Sequence, residues 1–372
     1  MHYEFYNMLE LLKKYRTDLH QIPELGFEEY KTKAYIKTIA QKLNYTIHEV
    51  ADTGLVLYFD HGKSKTIAFR ADMDALPITE ATNLPFTSKH VGKMHACGHD
   101  GHMTTLLGLA HYIHEHGQNL DKNVVLVFQP SEERDAGASV IVESGLLEKY
   151  QVEAIFGLHL WPGLVAGTVH TRAGEFMAMG SEITITIHGK SAHVADSAKA
   201  IDALYISCKF LSDLYYMEST LEVDGYRLLK FGELHAGTVR NVIADKAVLS
   251  GTLRSFDPEI HQNLKKQIQM IAGRYEEQYH CEIEIHYHDG YDAVINNPEL
   301  YDNIITKIPT INQLPKPVMQ AEDFGLYRKI CPSLFFFLGV GDTAPLHNEK
   351  FDFDMNILQD GLNLFIDVLV KY

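Results

Sequence analysis

The chain has 372 residues but only four cysteines, Cys97, Cys208, Cys281 and Cys331, scattered too widely for a disulfide framework. The N-terminal residues Met1-His-Tyr-Glu-Phe-Tyr lack the basic stretch and apolar core of an export signal. Together these absences point to a reducing, cytoplasmic setting. No apolar run reaches the roughly 20 residues of a membrane-spanning helix, so no membrane association is expected. Positive charge is also scarce: 33 Lys and Arg face 49 Asp and Glu, for a net charge of -16. Such a balance repels a phosphate backbone and argues against a nucleic-acid partner. Neither an internal repeat nor a low-complexity linker is present. Histidine, in contrast, is abundant at 21 residues, and it carries meaning only where it clusters.

The length exceeds one small core and suggests two domains. Helical spacing of Leu11, Leu12, Tyr15 and Leu19 predicts a helix over Leu9–Leu19, and a second helix is expected over Phe27–Leu43. Short apolar runs predict strands at Thr53–Phe59, Lys65–Arg70, Asn123–Gln129 and Ala154–Leu160, with helices at Met103–Ile113 and Ala136–Ser144. Strands alternating with helices imply an α/β domain with a mostly parallel central sheet. From Ser181 to His188 the pattern changes to strict alternation, the mark of a strand with one exposed face. Helices at Ala198–Leu214 and Glu259–Tyr279, and further strands at Arg227–Leu234, Lys246–Ser255 and His280–His288, complete a smaller α+β block. The buried-strand pattern returns at Ser333–Gly339, before a last helix over Asn356–Val370.

Five segments carry side chains suited to chemistry. Arg70-Ala-Asp72-Met-Asp74 sets two acids at a strand end, placed to bind a metal or to orient a ligand histidine. His95-Ala-Cys97-Gly-His99-Asp-Gly-His102 packs a thiol and three imidazoles into eight residues, and both groups are good ligands for late divalent metals. Glu132-Glu133 follows the strand NVVLVFQ. Adjacent carboxylates there can divide the work, one binding metal and the other moving protons. Gly157-Leu-His159 and Pro345-Leu-His347-Asn348 each add one histidine.

Together these segments resemble the amidohydrolase branch of the aminoacylase/carboxypeptidase metallopeptidase family, and the resemblance extends over nearly the whole chain. His20-Gln-Ile-Pro-Glu-Leu-Gly26, Gly189-Lys-Ser-Ala-His193, Arg240-Asn-Val-Ile-Ala244, Gly251-Thr-Leu-Arg254 and Ala321-Glu-Asp-Phe324 match as well. The resemblance implies a catalytic domain of residues 1–178 and 291–372, with an inserted lid or dimerisation domain of residues 179–290. It implies two divalent ions (Zn, Mn, Co or Ni) held by Cys97, His99, Glu133, His159 and His347, with Cys97 bridging or standing where other branches use a carboxylate. Glu132 is then the general base and acid, and Asp74 or Asp72 orients His99. His193 contacts the substrate carbonyl, in a dimer or larger homo-oligomer at the site of another subunit, and Asn241 and Arg254 are candidates for binding the substrate carboxylate. The implied reaction is removal of an acetyl group from an N-acetylated amino acid, foremost N-acetyl-LL-diaminopimelate on the lysine route. A broader aminoacylase, a hippurate hydrolase or a dipeptidase would use the same site, and a non-catalytic binding homologue would keep only the fold.

Overall fold

A computed structural model describes residues 2–134, 136–222 and 225–372, with residues 2–7 described by backbone alone. The chain forms two compact units. One comprises Met1–Phe176, Ile295–Pro317 and Asp323–Tyr372, and the other Met177–Val294 and Val318–Glu322.

The first unit is built on an eight-stranded sheet in the order Thr46–Val50, Gly54–Phe59, Asn123–Gln129, Thr66–Asp72, Val152–Trp161, Ser333–Gly339, Val169–Thr171, Asn312–Gln313. Its centre is parallel, from Asn123–Gln129 through Thr66–Asp72 and Val152–Trp161 to Ser333–Gly339. Gly54–Phe59 joins antiparallel on one flank and Val169–Thr171 on the other. The runs NVVLVFQ and SLFFFLG are buried at every position. Continuous apolar character without alternation is what a strand covered on both faces requires. The helix His99–His116 is buried along most of its length and packs against His2–His20 and Leu358–Lys371.

The second unit has a four-stranded antiparallel sheet in the order Glu282–Asp289, Met179–His188, Lys246–Ser255, Arg227–Ala236. Ile183, Ile185 and Ile187 face a separate core formed with the helices Ala203–Thr220 and Pro258–Tyr279, while Glu182 and Thr184 stay exposed and Thr186 is buried. The alternation in the sequence is thus the alternation of the strand.

Several boundaries differ from expectation for local reasons. The helix expected from Phe27 starts at Tyr30. Phe27 is left-handed at φ 59°, and the Glu24 carboxylate accepts the Lys31 and Thr32 amides at 2.9 Å each, fixing the start. The helix expected from Ala198 starts at Ala203, where Asp202 accepts the Tyr205 amide at 3.0 Å. A helix at Pro298–Lys307, capped by Asn297, was not anticipated, although Asn-Pro is an ordinary start signal.

Candidate metal centre

All five candidate ligands lie at or beyond the carboxyl ends of the central parallel strands, where open α/β sheets place their ligands. Cys97 and His99 lie in the loop and helix that follow Thr66–Asp72, and Glu133 follows Asn123–Gln129. His159 is near the end of Val152–Trp161, and His347 is in the loop beyond Ser333–Gly339. Gly98 makes the close turn possible. Its φ of 87° is in the left-handed region, where a Cβ would also press on Leu160 at 3.1 Å. The next residue, His99, opens the helix. On the far side, the His347 amide donates to the Ala96 carbonyl at 2.9 Å, tying this late loop to the early one.

Two of the groups that the donor atoms form share the thiol, and a further one joins Glu132 to His99 and Glu133. Cys97, His99 and His159 have ligand atoms within 4.8 Å of one another, as do Cys97, Glu133 and His347. The Cys97 sulfur is 3.4 Å from His159 Nε2, and His347 Nε2 is 3.2 Å from Glu133 Oε1. Donors on one tetrahedral ion at about 2.1 Å stand about 3.4 Å apart, so these spacings suit shared metal ligation.

Backbone partners fix the tautomers. His99 Nδ1 lies 2.8 Å from the Asp74 carbonyl, and His159 Nδ1 lies 2.7 Å from the Leu160 carbonyl. A carbonyl only accepts, so each Nδ1 carries a proton and each Nε2 is left on the side of the cluster. His102 is different. Its Nε2 accepts the Leu160 amide at 2.9 Å, so its Nδ1 donates to Asp72 at 2.6 Å. Both nitrogens are therefore committed, and the grouping of Asp72, His99 and His102 is closed by hydrogen bonds. His95 is buried and belongs to none of the donor groups among the described residues.

The two aspartates of the first motif take separate tasks. Asp72 belongs to the strand and faces inward, where Arg70 donates to it at 2.7 Å and His102 at 2.6 Å. Asp74 lies beyond the strand. Its carboxylate accepts the amides of Glu132 and Glu133 at 3.0 Å each and stands 3.4 Å from His99 Nδ1. Asp74 is therefore the residue that joins the His99 side of the site to the paired glutamates.

The electrostatics favour a cation. Burial pushes the Cys97 thiol well above its usual range, and Glu133, Glu132 and Asp72 add to the rise. Burial opposes charge on His99, but Asp72, Asp74 and Glu133 outweigh it and push the imidazole up to about 10. His99 Nε2 and Glu133 Oε1 are buried without hydrogen-bond partners. A thiol, imidazoles and a carboxylate gathered with orphaned donor atoms and excess negative charge fit divalent metal. Glu132 is buried beside Glu133 and lies outside both shared-thiol groups.

Two features escaped the sequence reading. Arg70 donates to Asp72, to Asp323 at 2.7 Å and to Gln129 at 2.8 Å, while Gln129 and the Ala138 amide also donate to Asp323. This buried web ties together the ends of two central strands and the start of a helix. The available signal was polar residues inside apolar runs, in TIAFRAD and VVLVFQ. Behind the Cys97 loop, Arg16 and His20 of the first helix meet Asp100 at 3.4 and 2.8 Å. His20 also reaches Glu80, and these acids raise its pKa to about 9 despite burial.

His193, Asn241 and Arg254 belong to the second unit. His193 bridges to Val242, and the Val194 amide donates to the Asn241 carbonyl at 3.2 Å, so His193 and Asn241 are neighbours and both are exposed. Arg254 lies at the other end of the strand Lys246–Ser255, where it donates to Thr252 at 3.1 Å. Eight residues of strand separate it from Lys246, roughly 25 Å.

Two ligand groups sharing one thiol, with a further glutamate beside them, define the site of a metal-dependent hydrolase. A model of peptidase family M20/M25/M40 matches residues 68–371. A curated N-acetyldiaminopimelate deacetylase of Streptococcus uberis is 36% identical over 367 residues, 95% of this chain and 96% of the relative. Another from Listeria innocua is 36% identical over 366 residues, 96% of this chain and 97% of the relative. A solved dinuclear metal-binding peptidase of the M20 family from Bacillus subtilis is 30% identical, covers 98% of both chains and superposes with a TM-score of 0.85. The chain belongs to peptidase family M20/M25/M40, in agreement with the resemblance carried by its motifs.

Proposed function

We propose that this hydrolase removes the acetyl group from an N-acetylated amino acid, with N-acetyl-LL-diaminopimelate as its foremost substrate, in the cytoplasmic synthesis of lysine. The observation that carries the reading is Glu132, buried beside two donor groups that share Cys97 and held through its amide by Asp74. The names of the curated relatives supply the substrate.

One ion would be held by Cys97, His99 and His159 and the other by Cys97, Glu133 and His347. When bound, such ions polarise the amide carbonyl and lower the pKa of water. Glu132 takes the proton from the attacking water and delivers it to the leaving nitrogen, so acetate and a free amine result. His193 stabilises the oxyanion, and Asn241 and Arg254 bind the substrate carboxylate. Arg254 lies at the far end of the strand that follows Asn241, roughly 25 Å from Lys246, a length that no small amino-acid derivative spans. We therefore assign the active form to a homodimer or larger homo-oligomer, with His193 and Asn241 serving a second copy.

The test is steady-state kinetics on N-acetyl-LL-diaminopimelate, hippurate and N-acetylmethionine, after loading with Zn, Mn, Co or Ni. The expected outcome is a kcat/KM at least ~100-fold higher for the first substrate. Preference for either alternative moves the enzyme to the aminoacylases or hippurate hydrolases. Absence of both bound metal and turnover defeats the catalytic reading. The companion variant Glu132→Gln is expected to keep its metal and lose ~1,000-fold in kcat.

A further inference from the structure

The segment Pro130–Glu133 carries both glutamates and is shaped by Asp74 together with Glu29 and Gly26, two residues with no part in the chemistry above. Ser131 is left-handed at φ 51° and fully buried. An L residue stays in that region only where its surroundings hold it. Here the Ser131 amide donates to Glu29 Oε1 at 2.8 Å, and the next two amides donate to the two oxygens of Asp74 at 3.0 Å each. Three successive N–H groups are thus taken by two buried carboxylates. Gly26 closes the other side: a Cβ there would lie 2.4 Å from Ser131 Oγ and 3.1 Å from its Cα.

Glu29 does not serve the helix that it precedes. It occupies the N-cap position of the helix Tyr30–Lys42 but makes no side-chain cap bond, because Glu24 accepts the free amides of that helix. It is fully buried, and its Oε2 has no hydrogen-bond partner. Burial pushes its carboxyl up to about 7, with the charge of Asp74 adding to the rise and the Thr53 hydroxyl and Ser131 amide opposing it. An acid kept under such conditions needs a reason beyond helix stability.

We infer that Glu29 is a positioning residue for the hydrolytic reaction: it holds the left-handed Ser131 and so fixes, together with Asp74, the direction in which Glu132 leaves the loop. The inference rests on Glu132 as the proton carrier proposed above. It explains why the segment Pro23-Glu-Leu-Gly26 through Glu29, distant in sequence from every ligand, lies beneath the paired glutamates.

The test places Glu29→Leu, Glu29→Gln and Gly26→Ala in the native enzyme and in Glu132→Gln, with kcat, KM and metal content measured on an N-acetyl amino acid. Leucine fills the space but accepts no hydrogen bond, so kcat falls at least ~10-fold while KM stays within ~3-fold and both metals remain. Glutamine restores an acceptor oxygen and recovers most of the lost kcat. In the Glu132→Gln background, Glu29→Leu lowers the residual rate by less than ~2-fold, because its effect runs through Glu132. An additive loss in that background, or a loss confined to KM or metal content, overturns the inference while leaving the functional reading intact. Near-normal turnover in Glu132→Gln alone overturns both. Should Glu29→Leu fail to fold, Gly26→Ala decides: the same non-additive fall in kcat supports the role, and an unchanged kcat overturns it.

Discussion

Cys97, His99 and His159 in the first unit are buried, and each of the two imidazoles commits its Nδ1–H to a carbonyl behind it. His193 and Asn241 in the second unit are exposed and held chiefly by local turn contacts. The residue types overlap, yet the surroundings are opposite. A metal ligand has to offer one lone pair at a fixed distance, so its tautomer and rotamer are locked from behind at the expense of desolvation. A group that meets substrate has to remain reachable, and its surroundings leave it free to approach. Burial with a locked tautomer thus sets His99 and His159 apart from His193 and Asn241, whereas His347, also a candidate ligand, is exposed.

Removing the shared donor gives the largest expected effect. Cys97→Ala takes one ligand from both groups, and bound metal should fall below one ion per chain with kcat down ~1,000-fold or more. Elemental analysis with kinetics checks it, and retention of two ions would break the assignment of Cys97 to both groups. Asp74→Asn acts from behind the ligands. The amide replaces one acceptor oxygen by a donor facing the Glu132 or Glu133 N–H, so activity and metal affinity should drop ~10–100-fold with a lower Tm. His193→Ala probes the exposed set. It should reduce kcat/KM ~10-fold while Tm and metal content stay unchanged, since the side chain lies at the surface. Loss of metal in that variant would erase the contrast between the regions.

The last effect concerns pH and is read in stability, not in turnover. Glu29 has a folded pKa of about 7 against an ordinary 4.5. Between those values the folded chain binds more protons than the unfolded one, so stability falls as pH rises through the window, by at most about 3 kcal/mol. Glu29→Gln lacks this slope. Its Tm relative to the native enzyme should therefore rise between pH 5 and pH 8, and a constant difference in thermal melts would show that Glu29 does not titrate in that range.

The central sheet was legible because NVVLVFQ and SLFFFLG are unbroken apolar runs, and the second sheet because SEITITIH alternates. Thr46–Val50 was not, since His48 and Glu49 interrupt its pattern and its pairing with Gly54–Phe59 defines it as a strand. The three-residue strand Val169–Thr171 likewise owes its form to a neighbour, Ser333–Gly339. The five candidate donors followed from the family resemblance, and the structure brings their ligand atoms together, but the division of labour between Asp72 and Asp74 was not legible. They are identical side chains two residues apart. What separates them is that Asp72 is still within the strand while Asp74 has passed its end. The web of Arg70, Gln129 and Asp323 was equally hidden, because its members meet only when two strands and a distant 3-10 turn come together.

The position of Ser333–Gly339 beside Val152–Trp161 has a consequence for how the protein is made. On a ribosome, about 170 residues separate the two strands, which at ordinary elongation rates is roughly 10 to 30 seconds of synthesis. Throughout that interval Val152–Trp161, which carries His159, presents an open apolar edge to the cell. His347 emerges later still. The five candidate donors can therefore come together only after the last central strand has been made and has joined the sheet.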